Sequence, residues 1–337
     1  VKADYGIVDR LLHRVALGEA TAGVFHEVER GRYLEGAPKD EGGHVFVTGL
    51  ARAGTTILLR ELYATGQFGS LLYADMPFVL APNLWAGVSK GARKPFEAVE
   101  RGHGDGIVID LESPEAFDEV FWRLACGKDY IRPNCLLPHR PDRKMIARYR
   151  DYIRLVLRRR NRTRYLSKDN NNILRLGALA AAMPDCSFLL VIREPAAHAR
   201  SLLRQHLRTL GDKDAFRLNY LRWLVHHEFG ADHRPFRFPG SPDGDRTSLD
   251  YWLATWTACY SALETVVETH GNVLVVPYDR LCGDPQSWNA VAKTLEIAAS
   301  GRQEIRIVSN GCQPLSETKP SSEAQALYER YLKRGIA

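Results

Sequence analysis

Residues 44–66, HVFVTGLARAGTTILLRELYATG, constrain the fold more than any other stretch of the chain. The β-branched and aromatic run Val45-Phe46-Val47-Thr48 reads as a buried strand. The turn Gly49-Leu50-Ala51-Arg52-Ala53-Gly54 follows it. Thr55 or Thr56 then opens an amphipathic helix with Ile57, Leu58, Leu62 and Tyr63 on its apolar face. A strand that passes into a helix through glycines aims free backbone N–H groups, and the positive end of the helix dipole, at one point. That point suits a phosphate or a sulfate.

Further strands are predicted at Ser70–Asp75, Arg164–Ser167, Ser187–Ile192 and Val273–Val276. Between and around them the apolar periodicity predicts helices over Ile7–Leu17, Asp118–Cys126, Asp142–Arg164, a segment ending at Ala182, Ala196–Thr209, 215–229, 249–269, Ser287–Leu295 and 322–334. This alternation calls for an α/β fold, a P-loop-like central parallel sheet with helices on both faces. Residues 1–43 are expected to be an N-terminal helical extension packed on the core. Residues 44–337 are then a single α/β domain with a loop-rich, Gly- and Pro-containing insertion around 82–142.

The glycine spacing from Gly49 to Gly54 is that of a P-loop, but Thr55 and Thr56 stand where a Walker A loop continues with Lys and Ser/Thr. The one cation of the turn is Arg52, a planar and permanently charged fork. At these residues the sequence resembles the sulfotransferases that use 3′-phosphoadenosine 5′-phosphosulfate (PAPS). Their Pro-Lys/Arg-Ser-Gly-Thr-Thr signature is represented by Ala51-Arg52-Ala53-Gly54-Thr55-Thr56, with Ala51 and Ala53 as the departures.

A second constellation lies where a strong strand gives way to a helix. Arg193 is followed by Glu194-Pro195 and, eight positions after the arginine, by Ser201. A cation at a strand end and a hydroxyl two turns into the helix can grip a second phosphate; Arg204 adds charge one turn on. The family resemblance implies that Arg193 and Ser201 hold the 3′-phosphate, with Glu194 replacing the family's Asp. It also extends to Lys168-Asp169-Asn170, whose lysine would neutralise the moving sulfuryl group. In Tyr278-Asp279-Arg280-Leu281 the resemblance places Tyr278 near the nucleotide. The donor is thus expected to be PAPS and the product PAP. Arg52, Ala53, Gly54, Thr55, Thr56, Arg193, Ser201 and Tyr278 would bind it.

A general base must take the acceptor's proton as sulfur is attacked. Asp75, 23 positions beyond Arg52, stands where the family's carboxylate is expected, with His103 and His139 as fallbacks. Catalysis would fall to Asp75, Arg52 and Lys168, by in-line transfer without a metal. The cluster His226, His227, Glu228, Asp232 and His233 is the rival metal site, but it lacks an H-E-x-x-H spacing.

The net charge of +6 suits a multiply anionic ligand and leaves nucleic acid and membrane surfaces undecided. Two other readings stand beside the transferase. One is a P-loop kinase or other phosphotransferase, disfavoured by the missing lysine after Gly54. The other is a non-catalytic nucleotide- or nucleic-acid-binding protein, prompted by Arg158, Arg159, Arg160, Arg162 and Arg164, for which a solvated helix end is the plainer explanation. The acceptor stays open among small molecules, glycans, lipids and peptides. Trp85, Trp122, Trp223, Trp252 and Trp256 are candidates for a pocket wall or for the core. Six scattered cysteines without C-x-x-C, no leader pattern and no bilayer-length apolar run place the chain, by expectation, in the reduced cytoplasm.

Overall fold

The protein is described by a computed structural model over residues 6–89, 99–100, 108–298 and 321–336. Helices α1 (Ile7–Leu17) and α2 (Glu19–Tyr33) precede strand β1 (Val45–Thr48), helix α3 (Thr55–Ala64) and the short strand β2 (Phe68–Gly69). Helix α4 (Pro82–Ser89), a small antiparallel ribbon of β3 (Val99–Glu100) and β4 (Val108–Ile109), and helices α5 (Glu119–Tyr130) and α6 (Arg143–Arg160) come next. Then follow β5 (Arg164–Lys168), α7 (Leu176–Ala182), β6 (Ser187–Ile192), α8 (Pro195–Thr209), α9 (Ala215–Trp223) and α10 (Leu249–Thr269). The chain continues through β7 (Val273–Pro277), α11 (Tyr278–Gly283), α12 (Pro285–Thr294) and α13 (Ser322–Arg334).

The main sheet has the order β2-β5-β1-β6-β7, and every pairing in it is parallel. Period-two alternation sends the strand side chains to opposite faces. Phe46, Tyr165, Phe188, Leu190 and Val275 join one core with α5, α6, α7, α10 and α13. Val45, Val47, Leu166, Leu189 and Val276 join the other core with α3 and α12. Both faces are therefore covered by helices, the arrangement the uninterrupted apolar strands demand. Leu17 and Ala22, at the end of α1 and in α2, lie in the first of these cores.

Register sets the functional edge. Val47 pairs with Lys168, Thr48 with Leu190 and Ile192 with Pro277. The residues just beyond these pairs lie along one carboxyl edge, where open α/β sheets bind ligands.

Several boundaries depart from expectation. The strand expected over Ser70–Asp75 is confined to Phe68–Gly69, and Tyr73–Asp75 forms a 3-10 turn. The Asp75 carboxylate accepts the Leu72 N–H at 2.8 Å, a local bond that competes with strand pairing. Helix α2 has no counterpart in the sequence reading, because its glycines and evenly spread charges blur a 3.6-residue period. The helix expected over 215–229 stops at Trp223, and Val225 takes a left-handed φ of 53°. Asn161, at φ 52°, ends α6 four residues before the expected limit.

The arginines at the end of α6 are structural fasteners. Arg158 donates to Gly36 O, Arg160 to Ser70 O, Arg162 to Gly66 O, and Arg164 to Gly43 O and Leu295 O. Arg158 and Arg162 are exposed, as a solvated helix end expects, while their guanidinium groups and those of Arg160 and Arg164 also reach main-chain carbonyls. Among the described residues no helix is long and apolar enough to cross a membrane.

Candidate active site

The turn between β1 and α3 is bent by three residues in the left-handed region, Gly49 at φ 146°, Arg52 at 69° and Gly54 at 103°. A Cβ on Gly49 would lie 2.6 Å from Val191 O, and one on Gly54 would lie 2.2 Å from the Tyr278 ring. Glycine is required at both places by close approach as well as by φ. Gly54 caps α3, so Thr55 and Thr56 open the helix at the positive end of its dipole.

The turn is braced from behind. Tyr260 Oη donates to Val191 O at 3.0 Å and accepts the Leu50 N–H at 3.4 Å. His198, fully buried on α8, contacts Ala51 O through Nε2 at 2.8 Å. Burial pushes the His198 imidazole down to about 3, so it is neutral and donates here. Ala53 has its methyl in the core beneath the turn and its N–H on Leu50 O at 3.2 Å.

The second constellation meets the first. Arg193 Nη1 donates to Arg52 O at 3.3 Å, and the Arg193 guanidinium lies over the Tyr278 ring at 5.3 Å. Arg52 Nε is 3.5 Å from Ser201 Oγ. Glu194 is the N-cap of α8, its carboxylate accepting the Ala196 and Ala197 N–H groups, which accounts for an acid beside Pro195. The Glu194 N–H donates in turn to Asp279, which also accepts from Tyr328 Oη at 2.9 Å. Arg52, Gly54, Arg193, Ser201 and Tyr278 thus form one continuous surface.

Lys168 ends β5 beside that surface, 6% exposed, with Nζ 3.9 Å from Glu115 Oε1. Thr48 Oγ1 donates to Asp169 O at 2.8 Å, and Thr55 Oγ1 donates to Asn170 Oδ1 at 3.2 Å. Asn170 Nδ2 donates to Glu228 Oε1 at 3.3 Å, and His226 Nδ1 lies 3.4 Å from the same oxygen. Burial pulls the His226 imidazole down, but the Glu228 carboxylate more than offsets it and holds the pKa above its usual value. Burial likewise works to raise Glu228, and His226 overcomes it to leave the carboxyl well below its ordinary range.

Behind Lys168 and Asn170 lies a buried charge cluster. Arg175 pairs with Glu119 and with Asp169, stacks over Trp122 at 4.7 Å and Tyr130 at 5.4 Å, and donates to Asn172. Asp118 accepts from Tyr149, Tyr165 and Ser167. These groups fix the turn after β5 from inside the core.

The base candidates fare differently. Asp75 is 1% exposed and its carboxylate is held by Arg160 and the Leu72 N–H. Burial pushes its pKa up, with Arg160 acting in the opposite sense. His139 stacks on Tyr130 at 4.5 Å, 3.5 Å from Arg175 Nη1, inside the charge cluster; burial and then Arg175 push it down to about 3. His103 lies outside the described residues.

The histidine-rich stretch is engaged internally. His227 pairs with Asp232, and His233 contacts His227 O and Tyr251 Oη. Among the described residues no group of three or more His, Cys, Asp or Glu is placed to hold a metal. Glu115, Asn170, His226 and Glu228 lie around Lys168 and Thr55, a grouping that motif spacing did not predict. The signals available were the polar run after Lys168 and the clustering of His226 with Glu228.

Residues 44–297 match the model of a sulfotransferase family. Among solved structures, the chain is similar to sulfotransferase STF1 from Mycobacterium tuberculosis H37Rv, at 14% identity and a TM-score of 0.52, covering 99% of this chain and 84% of that one. It is also similar to sulfotransferase STF9 from Mycobacterium avium, at 14% identity and a TM-score of 0.46, covering 95% and 74%. None of the curated proteins matches it significantly. At 14% identity the first of these bears on the fold alone.

Proposed function

The chain belongs to the sulfotransferase family, and we propose that it moves a sulfuryl group from PAPS to an acceptor hydroxyl or amine, releasing PAP. The observation that supports this most is the contact of Arg193 with the Arg52 carbonyl, which brings the two groups of anion-binding residues side by side. The donor set fits such a substrate: Arg52, Arg193, Lys168, the hydroxyls of Thr55, Thr56 and Ser201, and the helix N-terminus are all donors or cations.

In this reading Arg193 and Ser201 hold the 3′-phosphate, and Tyr278 lies beside the nucleotide. Arg52, Lys168 and the N-terminal amides of α3 hold the negative charge that develops on the bridging oxygen. The acceptor oxygen forms the new S–O bond as the S–O bond to the 5′-phosphate breaks, and the leaving phosphate keeps the electron pair. We assign proton removal to the Glu228–His226 pair, in the form with a carboxylate and a neutral imidazole. This pair lies two hydrogen bonds from Thr55 through Asn170, whereas the Asp75 carboxylate is occupied by Arg160. The buried thiols of Cys126, Cys135, Cys186 and Cys259 form no disulfide, which supports placement in a reducing compartment, the cytoplasm.

Thermal unfolding with PAP, with ATP and Mg²⁺, and with single-stranded oligonucleotides tests the donor. PAP at about 100 times its dissociation constant is expected to add roughly 2.7 kcal/mol of stability. Stabilisation by ATP with Mg²⁺ alone would favour a phosphotransferase. Stabilisation by oligonucleotides alone would favour a binding protein.

A further inference from the structure

Helix α13 packs against α8, α10 and β7, behind the residues that carry Arg52 and Arg193. Tyr328 and Tyr331 stand one turn apart on it, and both are buried. Tyr328 lies edge-on to Trp256 and Tyr331 edge-on to Tyr260, at ring distances of 6.5 and 5.9 Å. A phenylalanine would meet that packing equally well. A buried hydroxyl costs stability unless it finds a hydrogen-bond partner. Both hydroxyls here have one, and the two partners lead to different places.

The Tyr328 hydroxyl donates to Asp279 Oδ2 at 2.9 Å, and the same oxygen accepts the Glu194 N–H at 2.8 Å. Glu194 caps α8, with Arg193 immediately before it and Ser201 further along that helix. Tyr278, beneath the Arg193 guanidinium, immediately precedes Asp279. The Tyr331 hydroxyl donates to Tyr260 O at 2.7 Å. Tyr260 Oη in turn meets Val191 O and the Leu50 N–H, at the root of the turn that carries Arg52. One face of α13 therefore reaches both groups of anion-binding residues, through Asp279 toward Arg193 and through Tyr260 toward Arg52. The helix itself is clamped in place. Arg330 pairs with both carboxylate oxygens of Glu264, Arg334 pairs with Glu268, and the Ile336 N–H donates to Val275 O on β7.

Resting on the sulfuryl-transfer reading, we infer that Tyr328 and Tyr331 are positioning residues for the donor. Tyr328 acts through Asp279 and sets the place of Arg193 and Ser201 for the 3′-phosphate. Tyr331 acts through Tyr260 and sets the turn after β1 for the 5′-phosphosulfate. Binding groups held in place in advance gain affinity that loosened ones forfeit, so removing either hydroxyl is felt in donor binding although the ring packing survives.

The test is calorimetric titration with PAP of the parent, Tyr328→Phe, Tyr331→Phe, Arg193→Ala, and Arg193→Ala combined with each tyrosine variant. Circular dichroism establishes that each protein is folded. Either tyrosine variant alone is expected to raise the PAP dissociation constant about tenfold. With Arg193→Ala already present, Tyr328→Phe is expected to add less than about twofold, because the group it positions is gone. Tyr331→Phe is expected to cost the same factor there as in the parent, since it serves the other group. A tyrosine that only packs would lower the urea midpoint and leave PAP affinity at the parental value, which overturns the inference for that residue. An equal loss from Tyr328→Phe with and without Arg193 overturns its link to the 3′-phosphate. Should Tyr328→Phe fail to fold, Asp279→Asn takes its place in the cycle, with the same non-additive pattern expected and the same additive one overturning. Absence of PAP binding in the parent overturns the donor reading instead, and the positioning inference with it.

Discussion

Arg193 Nη1 donates to the main-chain carbonyl of Arg52 at 3.3 Å, tying the end of β6 to the turn after β1. Arg193 is 7% exposed and its guanidinium lies over Tyr278, so its position is fixed before any anion arrives. Preorganised, partly desolvated charge is worth more to binding than a mobile surface cation. Arg193→Ala is expected to weaken PAP binding by about 2–4 kcal/mol, roughly 30- to 1,000-fold. Arg193→Lys should recover only part of this, because a point charge does not replace the fork. Calorimetric titration with PAP measures both, and parental affinity in Arg193→Ala would remove the second anion seat.

Asp75 is predicted to matter for folding and not for turnover. Its carboxylate is buried against Arg160, itself the last residue of α6 and a donor to Ser70 O. Breaking a buried pair by removing one charge typically costs about 3–5 kcal/mol. Asp75→Asn should therefore lower the urea midpoint clearly, while kcat of the folded fraction stays within about twofold of the parent. A kcat collapse with an unchanged midpoint would return the role of base to Asp75.

The architecture was legible because each parallel strand is buried on both faces and so reads as an apolar run, as in Val45–Thr48 and Ser187–Ile192. The turn after β1 was legible because a strand running directly into a helix through Gly49 and Gly54 has to bend sharply. The surroundings of Lys168 were harder to read. Glu228 lies 58 positions beyond Asn170, and only the tertiary fold joins them. The surroundings of Asp75 could not be read either: its local bond to Leu72 and its pairing with Arg160, 85 positions on, belong to the tertiary fold. Arg175 carried no signal at all, since a lone arginine before an apolar segment looks like a surface residue.

That arginine gives the third prediction. Arg175 compensates Glu119 and Asp169 in the buried cluster behind Lys168 and Asn170. Arg175→Met keeps much of the packing against Trp122 and Tyr130 but leaves carboxylates unpaired. A loss of about 3–5 kcal/mol is expected in urea unfolding. Adding Glu119→Gln and Asp169→Asn should restore part of it, and failure of that rescue would mean packing, not charge, is what Arg175 supplies.

The buried histidines set an acid limit. Burial is the largest cause lowering His198 to about 3, and His227 and His233 to about 4, from a reference of 6.5. A folded-state pKa below the unfolded value means the unfolded chain binds protons first as pH falls. Their contribution to stability is therefore full above pH 6.5 and is lost as pH drops from 6.5 toward 4. With all three titrating only on unfolding, the slope approaches about 4 kcal/mol per pH unit near pH 5. Urea midpoints that stay flat between pH 7 and pH 5 would contradict the burial of these rings as neutral groups.

The proton-accepting pair makes the sharpest demand on pH. His226 is held above its ordinary pKa by Glu228, and the pair can take the acceptor's proton only once the imidazolium has lost its own. Turnover should rise with pH as the imidazolium loses its proton, giving an ascending limb displaced to the alkaline side of an ordinary histidine. Glu228→Gln removes the charge responsible, and burial then governs His226. The ascending limb should move to lower pH even as the maximal rate falls, a shift that a loss of folding alone does not produce. Parent and variant both need saturating PAPS, so that the profile reports the bound complex and not donor capture. An ascending limb at the same pH in Glu228→Gln and the parent would take the pair out of the mechanism, because the coupling between its members is what places the limb.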